Sequence, residues 1–143
     1  MHRFGNVLIV DDDPIARAKY AAYFVAQGVG HISDAANGAK AIRKLEQAES
    51  SPDLLVLDLY MPELDGIEVL GHLRNIGFSG SIILASGATS TDRNSASRIA
   101  AAYGLDVIGE LRKPVTKELL DGILSAAGQS TADRAAGSAK RSA

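Results

Sequence analysis

Three short apolar runs constrain the fold of this 143-residue chain more than any other feature of its sequence. They span residues 6–10, 54–57 and 81–85, and they are almost continuously apolar rather than alternating. A run of that length and composition is typical of a β-strand that is covered on both faces. Weaker runs at residues 30–35 and 105–111 predict two further strands.

Stretches with helical spacing separate these runs. The first helix is predicted from a stripe formed by Ile15, Ala18, Ala22 and Val25. Four more stripes follow, at Ala41, Ile42, Leu45 and Ala48, at Ile67, Leu70 and Leu73, at Ala96, Ile99, Ala100 and Tyr103, and at Leu119, Leu120, Ile123 and Ala127. The residues suited to helix ends are Asn37, Asp65 and Thr116 as N-caps and Gly104 after the fourth helix.

Five strand–helix pairs in succession predict an α/β fold. Right-handed crossovers place helices on both faces of a parallel sheet, and the common order of five such strands is 2-1-3-4-5. We expect one domain over residues 1–127. The Ala/Ser/Gly-rich residues 128–143 predict a flexible tail or linker.

Composition excludes several classes of function. Seventeen acidic against fifteen basic residues give a net charge of −2, which argues against a basic nucleic-acid-binding surface. Because cysteine is absent, the chain has no disulfide, thiolate zinc site or thiol nucleophile. No apolar run approaches the roughly 18 residues of a membrane helix, so we expect no membrane contact. Since residues 1–6 lack a signal-peptide pattern and the lack of cysteine is compatible with a reducing compartment, we expect a cytoplasmic protein.

Polar side chains follow the predicted strands. In an open parallel sheet, ligands bind beyond the carboxyl ends of the strands, so these side chains should converge at one edge. Crowded carboxylates suit a hard cation such as Mg²⁺, and an aspartate beside the cation can act as a nucleophile toward phosphorus. The converging residues are Asp11, Asp12, Asp13, Asp58, Ser86 and Lys113.

The motifs around these residues resemble the response-regulator receiver domain, the phosphoacceptor half of bacterial-type two-component signalling. The resemblance covers residues 4–126 and implies a flavodoxin-like fold similar to chemotaxis regulators. The motifs are Val10-Asp11-Asp12-Asp13-Pro14, Asp58-Leu59-Tyr60-Met61-Pro62-Glu63-Leu64-Asp65-Gly66, Ser86-Gly87 and Lys113-Pro114.

The resemblance implies a phosphorelay role in which Asp58 is phosphorylated by a histidine kinase or phosphotransfer protein. It further implies that Mg²⁺ or Mn²⁺ is bound by Asp11, Asp12, Asp58 and the backbone carbonyl of Tyr60, with Asp12 as a direct ligand and Asp11 acting through water. We expect Asp13 only to cap or charge the first helix.

The same resemblance assigns the remaining motif residues. Ser86 and Lys113 would bind the phosphoryl group and act in the switch. Pro114 would follow a cis peptide, and Pro62 and Gly66 would shape the loop after Asp58.

Two departures from the family pattern affect the expected mechanism. Glu110 stands where receivers commonly carry the Tyr or Phe of an aromatic switch, so we expect the signal to move the loop at residues 86–90 instead. Tyr60 and Ala88 flank the expected path of the hydrolytic water, and a bulky aromatic and a methyl group offer no acid or amide to orient it. We therefore predict slow self-dephosphorylation.

Three rival functions remain open. The Asp-x-Asp spacing within Asp11-Asp12-Asp13 also occurs in phosphohydrolases with an aspartate nucleophile, although the residues that follow in that motif are absent. A pseudo-receiver that binds its partner constitutively, or a flavodoxin-like cofactor binder, would share the fold. We favour a binding module that is not a turnover enzyme, and the sequence identifies neither its kinase nor its effector.

Overall fold

The computed structural model describes residues 4–61, 65–87 and 90–127, with the backbone alone for residues 90–94. The predicted tail at residues 128–143 lies outside these ranges, as do Pro62 and Ala88. Within the described residues, no helix combines the length and apolarity needed to cross a membrane.

Five strands alternate with five helices over the described residues. The elements are β1 (Asn6–Val10), α1 (Pro14–Ala26), β2 (His31–Ala35), α2 (Gly38–Gln47), β3 (Leu54–Asp58), α3 (Gly66–Asn75), β4 (Ser81–Ser86), α4 (Ser90–Ala102), β5 (Asp106–Arg112) and α5 (117–127).

The strands form one parallel sheet in the order β2-β1-β3-β4-β5, which confirms the predicted topology. The register aligns the carboxyl ends of the strands, since Asp58 lies opposite Ala85 and Ser86 lies opposite Arg112. Asp58 and Ser86 are the last residues of β3 and β4. The apolar runs predict that both residues follow their strands directly, so these two strands are each one residue longer than predicted.

The continuous apolar character of the inner strands follows from burial on both faces of the sheet. Successive residues of β1 and β3 contribute alternately to two hydrophobic clusters, one on each face. Leu55 and Leu57 belong to one cluster, whereas Leu54 and Val56 belong to the other. All five residues of β3 are buried, which leaves no solvent-facing position for a polar side chain.

The predicted buried stripe of α1 is wrong. Ile15 and Val25, at the ends of that stripe, are both 66% exposed. The buried face consists instead of Tyr20, Tyr23 and Phe24. Aromatic side chains remove more apolar area from water than isoleucine, valine or alanine, so they decide which face of α1 packs on the sheet.

The predicted helix ends are confirmed where the structure describes them. Side chains of Asn37, Asp65 and Thr116 accept hydrogen bonds from backbone N–H groups of Lys40, Glu68 and Leu119. Asp13 caps α1 by accepting from the backbone N–H of Ile15 at 2.9 Å. Gly104, after α4, has a φ of +75°, a conformation that glycine adopts without steric cost.

Candidate functional site

Three carboxylates meet at the carboxyl edge of the sheet. Asp11 follows β1 and Asp58 ends β3, and the central strands β1 and β3 are neighbours. One carboxylate oxygen from each of Asp11, Asp12 and Asp58 lies within 4.8 Å of the other two. Asp11 and Asp58 are 1% and 3% exposed, whereas Asp12 is exposed at the rim. The predicted convergence of these acids is therefore present.

Lys113 joins the two buried carboxylates. Its Nζ lies 3.0 Å from Oδ2 of Asp11 and 3.2 Å from Oδ2 of Asp58. The lysine side chain is 30% exposed, so it reaches the acids from the rim of the site. One ammonium group thus partly balances two carboxylates that water barely reaches.

Backbone N–H groups hold the other oxygen of each buried acid. The N–H of Asp13 donates to Oδ1 of Asp11 at 2.9 Å, and the N–H of Tyr60 donates to Oδ1 of Asp58 at 3.1 Å. In both carboxylates, one oxygen accepts from the backbone and the other from Lys113. This arrangement fixes the orientation of both groups without another side chain.

The electrostatic environment does not fully stabilise the charge on Asp58. Burial raises the pKa of this carboxyl from 3.8 to about 6, against the lowering effect of the Tyr60 N–H. The charge of Asp11 contributes to this rise, and Lys113 opposes it. Burial alone would lower the pKa of Lys113, but its contacts with Asp11 and Asp58 raise it above its usual value.

The donor set fits a hard divalent cation. Asp11, Asp12 and Asp58 offer closely spaced carboxylate oxygens, the ligands that Mg²⁺ prefers. The ammonium group of Lys113 pairs with both Asp11 and Asp58, which leaves their negative charge only partly compensated, and the pKa of Asp58 is raised accordingly. A cation at this position would reduce the repulsion among the three carboxylates.

The ends of β4 and β5 bring Ser86 to the same edge. Ser86 is fully buried, and its carbonyl accepts the backbone N–H of Lys113 at 3.1 Å. The predicted cis peptide between Lys113 and Pro114 is present. Ser86 and Lys113 are therefore fixed beside each other by the backbone.

Gly66 shapes the chain after Asp58. A Cβ at this position would lie 2.7 Å from both the carbonyl oxygen of Asp58 and the Cα of Leu59, which is too close for any other residue without movement. The N–H of Gly66 also donates to the carbonyl of Leu59 at 3.1 Å. The start of α3 thus packs directly on the backbone of the acidic edge.

Arg17 is a supporting residue of the site that the sequence pattern did not indicate. Its NH1 donates to the carbonyl of Asp11 at 2.8 Å, and its Nε pairs with Asp34 at 2.9 Å. Arg17 lies one turn after the Asp13 cap, and this position in the helix is the sequence feature that could have indicated its role. The residue links the acidic loop to the end of β2.

Glu110 occupies a polar contact between β5 and α4. The hydroxyl of Ser97 donates to its carboxylate. An aromatic switch residue at this place would be apolar and mobile, whereas Glu110 is held by a hydrogen bond to the neighbouring helix.

Comparisons with known proteins agree with the fold and the motifs. The family described as the response regulator receiver domain matches residues 7–125. The chemotaxis protein CheY of Bacillus subtilis is 39% identical over 81 residues, which cover 57% of this chain and 66% of CheY. The two-component response regulator ARR22 of Arabidopsis thaliana is 34% identical over 122 residues, covering 84% of this chain and 81% of ARR22.

A solved structure extends the likeness to three dimensions. The crystal structure of a response regulator from Colwellia psychrerythraea is 31% identical, with a TM-score of 0.73 over 89% of this chain and 98% of that chain. The chain spans just under two thirds of CheY and less than half of several longer relatives that it also matches.

Proposed function

This chain belongs to the response regulator receiver domain family, whose members are signalling modules of two-component systems, and we propose that it accepts a phosphoryl group on Asp58. The observation that carries this proposal is the placement of Asp58. Its carboxylate is 3% exposed, is oriented by one backbone N–H, and lies against Lys113 among two further acids.

A divalent cation, Mg²⁺ or Mn²⁺, is the cofactor that this site suits. Asp11, Asp12 and Asp58 would hold it, together with the backbone carbonyl of Tyr60. When bound, the cation neutralises negative charge on the carboxylates and on the incoming phosphoryl oxygens, which phosphoryl transfer requires. The carboxylate spacing within 4.8 Å supports this assignment.

The chain itself contributes the nucleophile and its orientation. A carboxylate oxygen of Asp58 forms the new bond to phosphorus while the bond from phosphorus to the histidine nitrogen of the donor breaks, and the donor histidine keeps that electron pair and takes up a proton. The N–H of Tyr60 holds Oδ1, so the oxygen now facing Lys113 is the one that reacts. Lys113 then turns from the carboxylate to the phosphoryl oxygens.

The switch would follow from the arrival of this phosphoryl group. The Ser86 hydroxyl and Lys113 bind its oxygens, and the loop at residues 86–90 moves with Ser86. Glu110 is bonded to Ser97, which supports an output that does not depend on a rotating aromatic side chain. A complex with a phosphoryl mimic in which that loop keeps its position would contradict this part of the proposal.

The partners follow from the same chemistry. The phosphoryl donor is a histidine kinase or a phosphotransfer protein, and the effector is a protein surface or an attached domain. The regulator would catalyse only its own phosphorylation and dephosphorylation, so it is not a turnover enzyme.

Incorporation of a phosphoryl group from acetyl phosphate with Mg²⁺ tests the function directly. Intact-mass measurement should show one added phosphoryl group on the wild-type chain and none on Asp58→Asn. Asp13→Asn is the matched control, because Asp13 caps α1 and should leave incorporation intact. Incorporation that survives in Asp58→Asn would refute the assignment of the acceptor.

Assays of ester hydrolysis and of phosphoryl incorporation separate the rival functions. Hydrolysis of a phosphate ester that persists in Asp58→Ala would favour a phosphohydrolase. A wild-type chain that gains no phosphoryl group from acetyl phosphate or from a kinase would favour a constitutive pseudo-receiver.

A further inference from the structure

Arg17 of α1 makes two hydrogen bonds that join the acidic loop after β1 to the edge strand β2. Its NH1 donates to the backbone carbonyl of Asp11 at 2.8 Å, and its Nε donates to Oδ2 of Asp34 at 2.9 Å. The Arg17 side chain is 18% exposed, and its bond to Asp11 is partly buried. Because a guanidinium group is planar and rigid, these two bonds fix the position of the carbonyl relative to the carboxylate.

The acceptor on β2 is itself held in place. Asp34 belongs to a strand that pairs with β1, and the ammonium group of Lys44 on α2 donates to the Asp34 carbonyl. The N–H of Asp11 donates to the carbonyl of Ala35, the last residue of β2, at 3.2 Å. Arg17 therefore ties the loop to a strand that the sheet and α2 both hold.

The bonds on either side of Asp12 determine the direction of its carboxylate. Asp12 is exposed, so packing contributes little to its orientation. The planar peptide unit before it carries the Asp11 carbonyl, which Arg17 holds. The peptide unit after it carries the N–H of Asp13, which donates to Oδ1 of Asp11 at 2.9 Å. These two planes set the backbone dihedral angles of Asp12, one of whose oxygens lies within 4.8 Å of those of Asp11 and Asp58.

We propose that Arg17 is a positioning residue for the divalent cation, because it holds the loop at residues 11–13 so that Asp12 is already oriented as a ligand. This inference rests on the cation site of the proposed function. Without the bonds of Arg17, the loop would have to be ordered at the moment the cation binds. That entropic cost would lower the affinity for the cation.

The charge of Arg17 has the opposite effect on the cation. A positive side chain near the site repels a cation, so removal of the charge alone should tighten Mg²⁺ binding. The ion pair with Asp34 reduces this repulsion, so Arg17 orients the loop with little cost to the cation. Loss of the hydrogen bonds and loss of the charge therefore change the affinity in opposite directions.

Three variants separate the two effects. Arg17→Gln removes both the charge and the planar fork. Arg17→Lys keeps the charge, but one ammonium group cannot reproduce the fixed geometry of two guanidinium nitrogens. Asp34→Asn removes the ion pair at a side chain that is 54% exposed, so the fold should tolerate this change.

Lys19 provides the matched control on the same helix. It is exposed and makes no hydrogen bond to the acidic loop in the part of the chain that the structure describes. Lys19→Gln removes the same charge as Arg17→Gln and leaves the loop tied to β2. It therefore measures the effect of charge alone.

Calorimetric titration of Mg²⁺ into the complete chain, at a temperature where every variant is folded, tests the proposal. We expect Arg17→Gln and Arg17→Lys to weaken Mg²⁺ binding about tenfold and Asp34→Asn about threefold. Lys19→Gln should bind Mg²⁺ as wild type does or up to about twofold more tightly. The double substitution of Arg17 and Asp34 should weaken binding no further than Arg17→Gln, because both residues act through the same contact.

NMR of the ion-free protein gives a second measurement that does not require the cation. The amide signals of Asp12 and Asp13 should shift or broaden in Arg17→Gln and remain in place in Lys19→Gln. If Arg17 only packed α1 on β2, Arg17→Gln would lower the denaturation midpoint and leave both the amide signals and the Mg²⁺ affinity of the folded protein unchanged.

Each outcome of the titration decides between the two claims. Wild-type affinity in Arg17→Gln and Arg17→Lys overturns the role of Arg17 and leaves the proposed function standing. Tighter binding by Arg17→Gln also overturns it, because the charge alone would then matter. If Arg17→Gln does not fold, Arg17→Lys and Asp34→Asn decide by the same criteria. A wild type that binds no Mg²⁺, and gains no phosphoryl group, overturns the proposed function and this inference together.

Discussion

The ammonium nitrogen of Lys113 lies 3.2 Å from Oδ2 of Asp58, although 55 residues separate them in the sequence. The same nitrogen lies 3.0 Å from Oδ2 of Asp11, so one lysine serves two buried acids. An ion-pair network through Lys113 therefore joins the ends of β1, β3 and β5. Because Lys113 contacts the oxygen of Asp58 that is proposed to react, phosphorylation of Asp58 must rearrange that network.

Asp58→Asn should stabilise the ion-free protein in a pH-dependent way. Burial raises the pKa of Asp58 from 3.8 to about 6. Between these two pH values, the carboxyl is therefore protonated in the folded state and ionised in the unfolded state. The stability contributed by the protonated group is complete below pH 3.8 and is lost as pH rises through about 6. At pH 7 the free energy of unfolding of the variant should exceed that of the wild type by about 2 to 3 kcal/mol.

Urea denaturation in a chelator at several pH values checks this prediction. The advantage of Asp58→Asn should shrink steadily from pH 7 toward pH 4. An advantage that stays constant over this range would mean that ionisation of Asp58 is not its cause.

Mg²⁺ should raise the thermal midpoint of the wild-type chain, since a ligand that binds only the folded state stabilises it by mass action. Asp12→Ala should abolish this shift while changing the ion-free stability by no more than about 0.5 kcal/mol, because Asp12 is exposed. Thermal melts with and without Mg²⁺ provide the measurement.

Asp13→Ala, a substitution of the neighbouring acid, is the control for Asp12→Ala. Asp13 caps α1 through the N–H of Ile15, so its loss should lower stability by about 1 kcal/mol. The Mg²⁺ shift should nevertheless remain. A shift that survives in Asp12→Ala, or disappears in Asp13→Ala, would contradict the proposed ligand set.

The sheet and the meeting of the acids could be predicted because both depend on local patterns. Continuous apolar runs predict strands buried on both faces, and parallel strands carry their carboxyl ends to one edge. Asp11 and Asp58 stand at the ends of such runs, so their meeting follows from topology alone. The caps Asn37 and Asp65 depend only on residues within one turn, and they are confirmed.

The unpredicted features depend on packing between distant segments. The buried face of α1 was assigned to the wrong stripe because Tyr20, Tyr23 and Phe24 compete with small apolar residues for the sheet. The bridging position of Lys113 arises from side-chain directions across several elements. A sequence pattern contains no information on such distances.

Gly66→Ala should destabilise the protein and impair phosphorylation. The added Cβ would lie 2.7 Å from the carbonyl of Asp58 and from the Cα of Leu59, and backbone atoms cannot yield as a flexible side chain would. Overpacking of this kind costs about 1 to 3 kcal/mol, and the displacement would move the acceptor carboxylate. Chemical denaturation and incorporation from acetyl phosphate measure the two effects.

Gly71 on the same helix offers the control for the intrinsic effect of alanine. A Cβ there would meet no atom within 4 Å, so Gly71→Ala should stabilise α3 by about 0.5 to 1 kcal/mol. Phosphorylation should be unaffected. If both variants shifted stability in the same direction, close contact at Gly66 would not be the cause.

Tyr60→Asn should shorten the lifetime of the phosphorylated protein. The Tyr60 side chain is 55% exposed, while its backbone N–H holds Asp58, so the side chain can change without loss of that hydrogen bond. The bulky aromatic ring fills space beside the expected path of the hydrolytic water, whereas the shorter carboxamide leaves room for that water and can orient it by hydrogen bonds. Decay of the phosphoprotein, followed by intact mass, should be severalfold faster in Tyr60→Asn and unchanged in Tyr60→Phe. A slower Tyr60→Asn, or equal acceleration by both variants, would show that the aromatic ring does not limit access of the hydrolytic water to Asp58.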